Sequence, residues 1–186
     1  MATEKERMLA GEMYDAADAQ LVAERRRARD LCKALNGSDD TEHELRQRII
    51  GDLFAGVGDA VWIEPPFHCD YGSNITLGSK VYFNFNCIIL DPRPVIIGAN
   101  ALFGPAVQIY TASHPMIAAE RRAGGEFALP VEIGSDVWIG GGAIVCPGVR
   151  IGSRSVIGAG SVITRDIPEE VFAAGNPCRI IKHIDG

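Results

Sequence analysis

Between Ile133 and Arg165 an aliphatic residue returns at every sixth position: Ile133, Ile139, Val145, Ile151, Ile157 and Ile163. Glycine follows four of these six. A second row of small or aliphatic residues, Val137, Ala143, Val149, Ser155 and Ser161, sits two residues before the next member of the first. Six is not a multiple of the helical 3.6, so a helix would scatter the row around its whole circumference. In an extended chain, where side chains alternate with a period of two, the same row points one way. The glycines interrupt any long straight strand, because they favour bends and allow close backbone approach. A short strand, a bend, and then the same again is a solenoid signature. At ~3.3 Å per extended residue each hexad makes one short side, and three sides close a triangular coil with the aliphatic row inside.

The same step appears upstream at Leu77, Phe83 and Ile89, takes two extra residues at Asp91-Pro92-Arg93-Pro94, and resumes at Ile97, Phe103 and Ile109. Residues 112–130 lack it. They are expected to leave the solenoid as a long irregular loop, and such loops carry function more often than decoration. Residues 3–58 read as helical. Thr3 with Glu6 and Thr41 with Glu44 match capping boxes. Leu21, Ala28, Leu31 and Leu35 share one face of a helix ending at Asn36-Gly37, and Leu45, Ile49 and Leu53, with Ile50 and Phe54, form a second apolar stripe. The last coil of a solenoid is an open sheet edge. The N-terminal helices are placed to cap one end and the tail after Ile167 to cover the other. The expected division is therefore a helical segment at 1–58 and a β-solenoid domain at 59–186, with an extended loop at 112–130 and a C-terminal tail.

Composition narrows the function classes. A length of 186 residues suits one domain with at most a small appendage. The net charge of −6 is spread evenly over the two segments, which argues against general nucleic-acid affinity. Five cysteines without a CxxC spacing point to reduced thiols in a cytoplasm rather than a disulfide framework. The N-terminus MATEKERMLAGE is charged and lacks an apolar signal core, and no window offers eighteen consecutive apolar residues, so no membrane association is expected.

Four histidines are available for chemistry: His43, His68, His114 and His183. His114, in YTASHP, stands where a repeat strand gives way to the excursion. A neutral imidazole there can take a proton from a hydroxyl near neutral pH. The sequence contains no G-x-S-x-G elbow, no HExxH, no P-loop and no G-x-G-x-x-G opening a helix. Beyond Arg122 the cations are Arg150, Arg154, Arg165, Arg179 and Lys182. They read either as a scattered solvated surface or as the seat of a phosphate-bearing ligand along the last coils. The run Arg25-Arg26-Arg27-Ala28-Arg29 reads either as a solvated helix face or as the source of one arginine that reaches a substrate pocket.

The segments MATEKERMLAGEMY, IEPPFHCDYGSNI, FNFN, YTASHP, VWIGGGAIVCPGV and AAGNPCRIIK together resemble the maltose and galactoside O-acetyltransferases, within the hexapeptide-repeat acyltransferases. The resemblance spans essentially the whole chain, and FHCDYG and YTASHP look closer to the maltose branch. It implies a mainly β fold, a left-handed parallel β-helix with an N-terminal α-helical segment. It also implies a cytoplasmic homotrimer with active sites between subunits, acetyl-CoA as donor and a sugar hydroxyl as acceptor, with no metal. His114 matches the family's catalytic histidine and Asn84, in FNFN, its transition-state-stabilising asparagine, which also contacts the acceptor. Asp70 and Asp91 fall at or beside acceptor-binding positions. The galactoside branch has a second acid after the aspartate matched by Asp91, where this chain has Pro92. The family's N-terminal acidic contact falls on Ala16, with Asp15 next door as its substitute. On the coenzyme A side Gly141, Ala159, Thr164, Arg165, Arg179 and Lys182 match family positions.

The reading that follows is direct acetyl transfer to maltose, glucose or a related sugar with His114 as general base. The alternatives are a galactoside or oligosaccharide acceptor, a γ-type carbonic anhydrase, which needs three histidines in the repeat region, and a non-catalytic β-helix.

Overall fold

From Gly56 onward the hexads wind into a three-sided coil in a computed structural model that describes residues 2–184. Met1 and the last two residues of the tail lie outside the described residues. Each turn gives one short strand to each of three sheets. The first face stacks Gly56–Val57, Ile75–Leu77, Val95–Ile97, Val131–Ile133 and Arg150–Ile151. The second stacks Trp62–Ile63, Tyr82–Phe83, Leu102–Phe103, Trp138–Ile139, Val156–Ile157 and Val171–Ala174. The third stacks Phe67–Cys69, Cys87–Leu90, Gln108–Tyr110, Ile144–Val145 and Val162–Ile163. Pairing within these stacks is parallel and in register, so Trp62, Tyr82, Leu102, Trp138, Val156 and Phe172 form one ladder.

Alternation then decides what is inside. All six members of the aliphatic row are buried, as are Val137, Ala143 and Val149. Each large aliphatic side chain contributes ~1.5–3 kcal/mol on burial. Towards the N-terminal end the interior widens into an aromatic column: Phe54 meets Phe67 edge-on, and Phe83 stacks on Phe103 with ring centroids 4.3 Å apart. Towards the other end it narrows to Ser155 and Ser161, whose hydroxyls are spent on local backbone. Ser155 donates to the Pro168 carbonyl at 2.8 Å and Ser161 to that of Gly158 at 2.6 Å.

Three helices precede the coil: α1 (Glu4–Ala10), α2 (Ala19–Asn36) and α3 (His43–Leu53). The Thr3–Glu6 capping box forms as its spacing predicts, with both reciprocal hydrogen bonds present. The Thr41–Glu44 box does not. The Thr41 hydroxyl is committed to Asp39 Oδ1 at 2.8 Å, Glu42 takes the N-cap position, and no side chain caps that end. Ala28, Cys32, Leu35, Ile49, Ile50, Leu53 and Phe54 join the coil interior in one apolar cluster, so α2 and α3 cover its first turn. Two details of the expected stripes differ. Leu31 is only half-buried, and Leu45 is exposed while Arg46 is buried. The buried face of α3 runs 46, 49, 50, 53, and Arg46 is accommodated by donating to Ser38 and Asp40 with its guanidinium over the Trp62 ring. The tail covers the last coil as expected: Val171–Ala174 pairs in parallel with Val156–Ile157, and Ile167, Val171, Ala173 and Cys178 join the core. Arg179–His183 then pairs antiparallel with Val171–Ala174 at the edge of the second face.

Residues 112–130 are not irregular. Ala112–Ser113 and Gly125–Ala128 form an antiparallel hairpin with a short helix, α4 (Ala118–Arg122), between them. The strand Gly125–Ala128 also pairs with Tyr14–Asp15. The N-terminal segment thus supplies the third strand of a ribbon standing off the coil.

Between the first and second faces every coil turns the same corner, and the residue that opens it is glycine at 58, 78, 98, 134 and 152. A Cβ on Gly98 would lie 2.5 Å from the Ser135 nitrogen of the next coil. That obstacle is backbone and cannot swing aside, so Gly98→Ala is expected to cost ~2–4 kcal/mol in denaturant unfolding. Gly51, on the exposed side of α3, has nothing within 4 Å of the position a Cβ would take. There the same change is expected to stabilise by ~0.5–1 kcal/mol through helix propensity.

Candidate functional site

The polar side chains singled out in the sequence gather at the two edges of the third face. One edge is the corner between the second and third faces. In successive coils the residue opening this corner is Asn84, Gly104, Gly140 and Gly158, stacked by backbone hydrogen bonds to the coil above. Asn84, like Glu64 in the coil before it, departs from the glycine of the three coils that follow. Its Oδ1 accepts the Phe85 N–H at 2.8 Å, which leaves the Nδ2 hydrogens to donate outward. Gly141 and Ala159 lie at the same corner in the last coils, where Gly160 N–H donates to the Gly141 carbonyl at 2.9 Å. Arg179 joins them through its pairing with Ala174.

The other edge carries the hairpin excursion. Ala112 pairs with Ala128 and Ser113 with Phe127, and the exposed His114 follows directly after that short strand. Thr164 and Arg165 follow the last strand of the third face at this same edge. One strand of the third face, roughly 10 Å at ~3.3 Å per residue, separates the corner bearing Asn84 from the edge bearing His114. Within one chain these two groups therefore stand apart.

A cleft of about 240 Å³ opens beside the excursion, lined by Ala16, Arg25, Arg29, Asp70, Tyr71, Pro92 and Glu126. Of the arginine run on α2, Arg25 and Arg29 reach this cleft, and Arg25 donates to the Tyr71 hydroxyl at 2.6 Å and to the Ala16 carbonyl. Tyr71 accepts that bond and keeps its own hydrogen. Burial pushes its phenol up to about 12, against the pull of Arg25. Burial also holds the Asp70 carboxyl above the ordinary carboxylate range, with Glu126 adding to the shift and Arg25 and Arg29 opposing it. Tyr14 donates to Glu126 Oε1 at 2.6 Å, and burial together with that bond raises the Tyr14 phenol well above its usual value.

Two expectations are corrected here. Asp15 does not stand in for the missing acid: its carboxylate accepts the Ala17 N–H, and it lines a different groove with Glu4, Arg7 and Gly125. The second acid of the cleft is Glu126, which sequence reasoning missed because residues 112–130 read as irregular. The alternation in the short run Gly125–Ala128 was the only signal. Asp91 does not face a ligand either. It is fully buried, and its Oδ1 accepts the backbone N–H groups of Asp70 and Tyr71 at 3.0 and 2.9 Å. It holds the turn that presents Asp70.

The five late cations sort into two groups. Arg150 is paired with Glu132 at 2.7 Å, and Arg154 with Glu169 and Glu170 at 2.7 and 2.8 Å. Arg165, Arg179 and Lys182 are exposed and form no ion pair among the described residues. Among the described residues no three His, Cys, Asp or Glu side chains come together to hold a metal ion, and no helix is long and apolar enough to cross a membrane.

Comparison with known proteins adds the following. The family model for the maltose acetyltransferase hexapeptide capping motif matches residues 7–58, and that for the bacterial transferase hexapeptide (six repeats) matches residues 130–165. Galactoside O-acetyltransferase of Escherichia coli (strain K12) is 43% identical over 180 residues, covering 97% of this chain and 89% of that protein. The crystal structure of a maltose O-acetyltransferase from Clostridium difficile 630 has a TM-score of 0.98 at 48% identity, covering 100% of this chain and 99% of that one. Galactoside acetyltransferase in complex with coenzyme A gives 0.96 at 42% identity, covering 100% and 92%.

The buried Asp91 makes a prediction independent of any ligand. Burial pushes its carboxyl up to about 8, more than its two backbone hydrogen bonds pull it down. The folded value lies above the unfolded one of ~3.9. The contribution of the neutral form is therefore complete below pH ~4 and is lost as pH climbs through about 8. Asp91→Asn, which keeps an acceptor for the two N–H groups and cannot ionise, is expected to be more stable than the parent at pH 8. Its stability should also fall less between pH 5 and pH 8, measured by urea unfolding at several pH values.

Proposed function

Because the chain belongs to the maltose and galactoside O-acetyltransferase family of hexapeptide-repeat transferases and is an acetyl-CoA-dependent O-acetyltransferase, we propose that it acetylates a hydroxyl of maltose, glucose or a related sugar by direct transfer. The observation that carries this reading is the cleft lined by Asp70, Glu126, Arg25, Arg29 and Tyr71, with Glu126 on the strand that pairs with Ala112–Ser113, immediately before His114. A sugar presents several hydroxyls that both donate and accept. Asp70 and Glu126 would accept from it, and Tyr71 and the arginines would donate to it.

In this reading His114 takes the proton from the acceptor hydroxyl as its oxygen attacks the thioester carbonyl. The carbon–sulfur bond then breaks, and the proton passes to the departing thiolate. Base catalysis of this kind contributes ~10²–10⁴-fold, and holding both reactants at attack distance supplies much of the rest. The Asn84 amide donates to the developing oxyanion. Arg165, Arg179 and Lys182 bind the phosphates of coenzyme A, with Gly141, Ala159 and Thr164 lining its path.

Asn84 and His114 lie at opposite edges of one face, so a site using both takes each from a different subunit. A homotrimer with active sites between subunits is the arrangement we propose. The excursion supports it: Met116 and Ile117 at its tip are 97% and 61% exposed, apolar surface that a neighbouring subunit would cover. Five free thiols support a cytoplasmic setting. A galactoside acceptor is the second reading, favoured by the 43% identity to the E. coli enzyme. The position after Asp91, where the galactoside branch has a second acid, is Pro92 here, which counts against it.

The test is release of free coenzyme A thiol from acetyl-CoA with a panel of sugars. His114→Ala should lower kcat ~10²–10⁴-fold with maltose or glucose. Arg179→Ala should raise KM for acetyl-CoA ~10-fold, whereas Arg150→Ala, whose charge is already paired, should leave it unchanged. Undiminished turnover in His114→Ala would remove it as the base. Turnover with galactosides alone would select the second reading.

A further inference from the structure

Immediately behind the acceptor-side cleft lie two groups that acetyl transfer does not use. Cys32 of α2 and Cys69, at the end of the strand Phe67–Cys69, place their sulfurs 3.8 Å apart, both buried, from positions 37 residues apart in the chain. A groove of about 570 Å³ reaches both, with Arg29, Lys33, Asn36 and His68 on its walls. None of the other three thiols has a sulfur partner among the described residues. Cys87 points at the Gly104 carbonyl, Cys178 is buried alone, and Cys146 is the one with the most exposure.

We propose that Cys32 and Cys69 are an oxidation-sensitive pair, converted by hydrogen peroxide into an intramolecular disulfide that fastens α2 to the third face and displaces the acceptor cleft beside it. The chemistry balances. The Cys32 thiolate attacks one peroxide oxygen, the O–O bond breaks, and the hydroxide released takes up the proton that Cys32 had given up. Cys69 sulfur then attacks Cys32 sulfur, the S–O bond breaks, and a second water leaves with the Cys69 proton. Two thiols and one peroxide give one disulfide and two waters.

Cys32 is the attacking group because the Cys69 thiol hydrogen bonds to it, which lowers Cys32 and raises Cys69. Arg29 and Lys33 line the same groove. A disulfide is ~2.05 Å long, so roughly 1.8 Å must be closed between the two sulfurs. Asp70 directly follows Cys69, and Arg25 and Arg29 lie two turns and one turn before Cys32 on the same helix. The movement therefore reaches the cleft, where misplacement of ~1 Å is enough to alter turnover. The cations assigned to coenzyme A sit on the last coils and stay in place.

The full-length protein is titrated with hydrogen peroxide, quenched with iodoacetamide, digested and mapped by mass spectrometry. The expected first product is a Cys32–Cys69 cross-linked peptide, lighter by two hydrogen atoms, with Cys87, Cys146 and Cys178 alkylated. Dithiothreitol should reverse it, and Cys32→Ser and Cys69→Ser, each first checked for folding by its melting temperature, should each abolish it. In the oxidised protein KM for the sugar should rise ~3–10-fold while KM for acetyl-CoA holds. The kinetic arm rests on the proposed acceptor cleft; the cross-link is read by mass and needs no turnover. Oxidation beginning at the more exposed Cys146, with Cys32 and Cys69 still alkylated, would overturn the pair. A cross-link that leaves both KM values unchanged would overturn its coupling to the cleft.

Discussion

Successive coils approach each other at backbone hydrogen-bonding distance, and at the corner between the first and second faces that leaves no room for a Cβ. The close approach at Gly98 to the Ser135 nitrogen recurs at each glycine of the first corner. Two positions after each of these glycines the chain needs a left-handed residue, supplied by Ala60, Lys80, Asn100, Asp136 and Arg154, and Glu170 takes the same conformation two positions after Pro168 in the last coil, with φ between 56° and 59° throughout. Most of these are not glycine or asparagine, so the conformation carries a cost of ~1 kcal/mol at each. The interior aliphatic rows and the parallel ladders offset it. A stack this constrained has little freedom to vary inside, so functional groups occur where the repeat is broken.

Three breaks account for the candidate site. Asn84 stands in a corner series otherwise opened by glycine in the following coils, and gains an outward amide. The two-residue insertion at Asp91–Pro94 places a buried carboxylate beneath the turn of Asp70 and Tyr71, binding their N–H groups from the adjacent coil. The excursion at 112–130 leaves the coil after Tyr110 and forms a ribbon with Tyr14–Asp15, with Glu126 on its middle strand and His114 directly after the strand Ala112–Ser113. Each break is local in sequence, yet each acts through residues from another coil or from the N-terminal segment.

That distinction sets what was legible in the sequence. The aliphatic rows, the two-residue insertion, the helix end at Gly37 and the Thr3–Glu6 cap depend on neighbours within a few residues, and all are present. Arg25 was one of two open readings of a charged helix face, and only contact with Tyr71, 46 residues away, decides between them. The ribbon was illegible because its middle strand is held by a partner more than a hundred residues upstream. Asp91 was expected at or beside the acceptor, and its burial was hidden because its partners are the backbone N–H groups of residues 70 and 71, which no side-chain pattern records. Thr41 failed as a cap because Asp39 competes for its hydroxyl two residues earlier.

The same separation of local from global applies to charge. A chain of net charge −6 is an unpromising receptor for the polyanionic coenzyme A if charge is only summed. Electrostatic reach at physiological ionic strength is ~8 Å, so the three excess acids of the N-terminal segment are screened from the last coils. What matters there is which cations are already neutralised. Glu132, Glu169 and Glu170 are spent on Arg150 and Arg154 across neighbouring coils, where exposed pairs of this kind add little to stability. Their effect is instead to leave Arg165, Arg179 and Lys182 as the cations without an acidic partner among the described residues, on the coils where a phosphate would lie. An acidic protein can hold an acidic ligand when its own acids are occupied elsewhere.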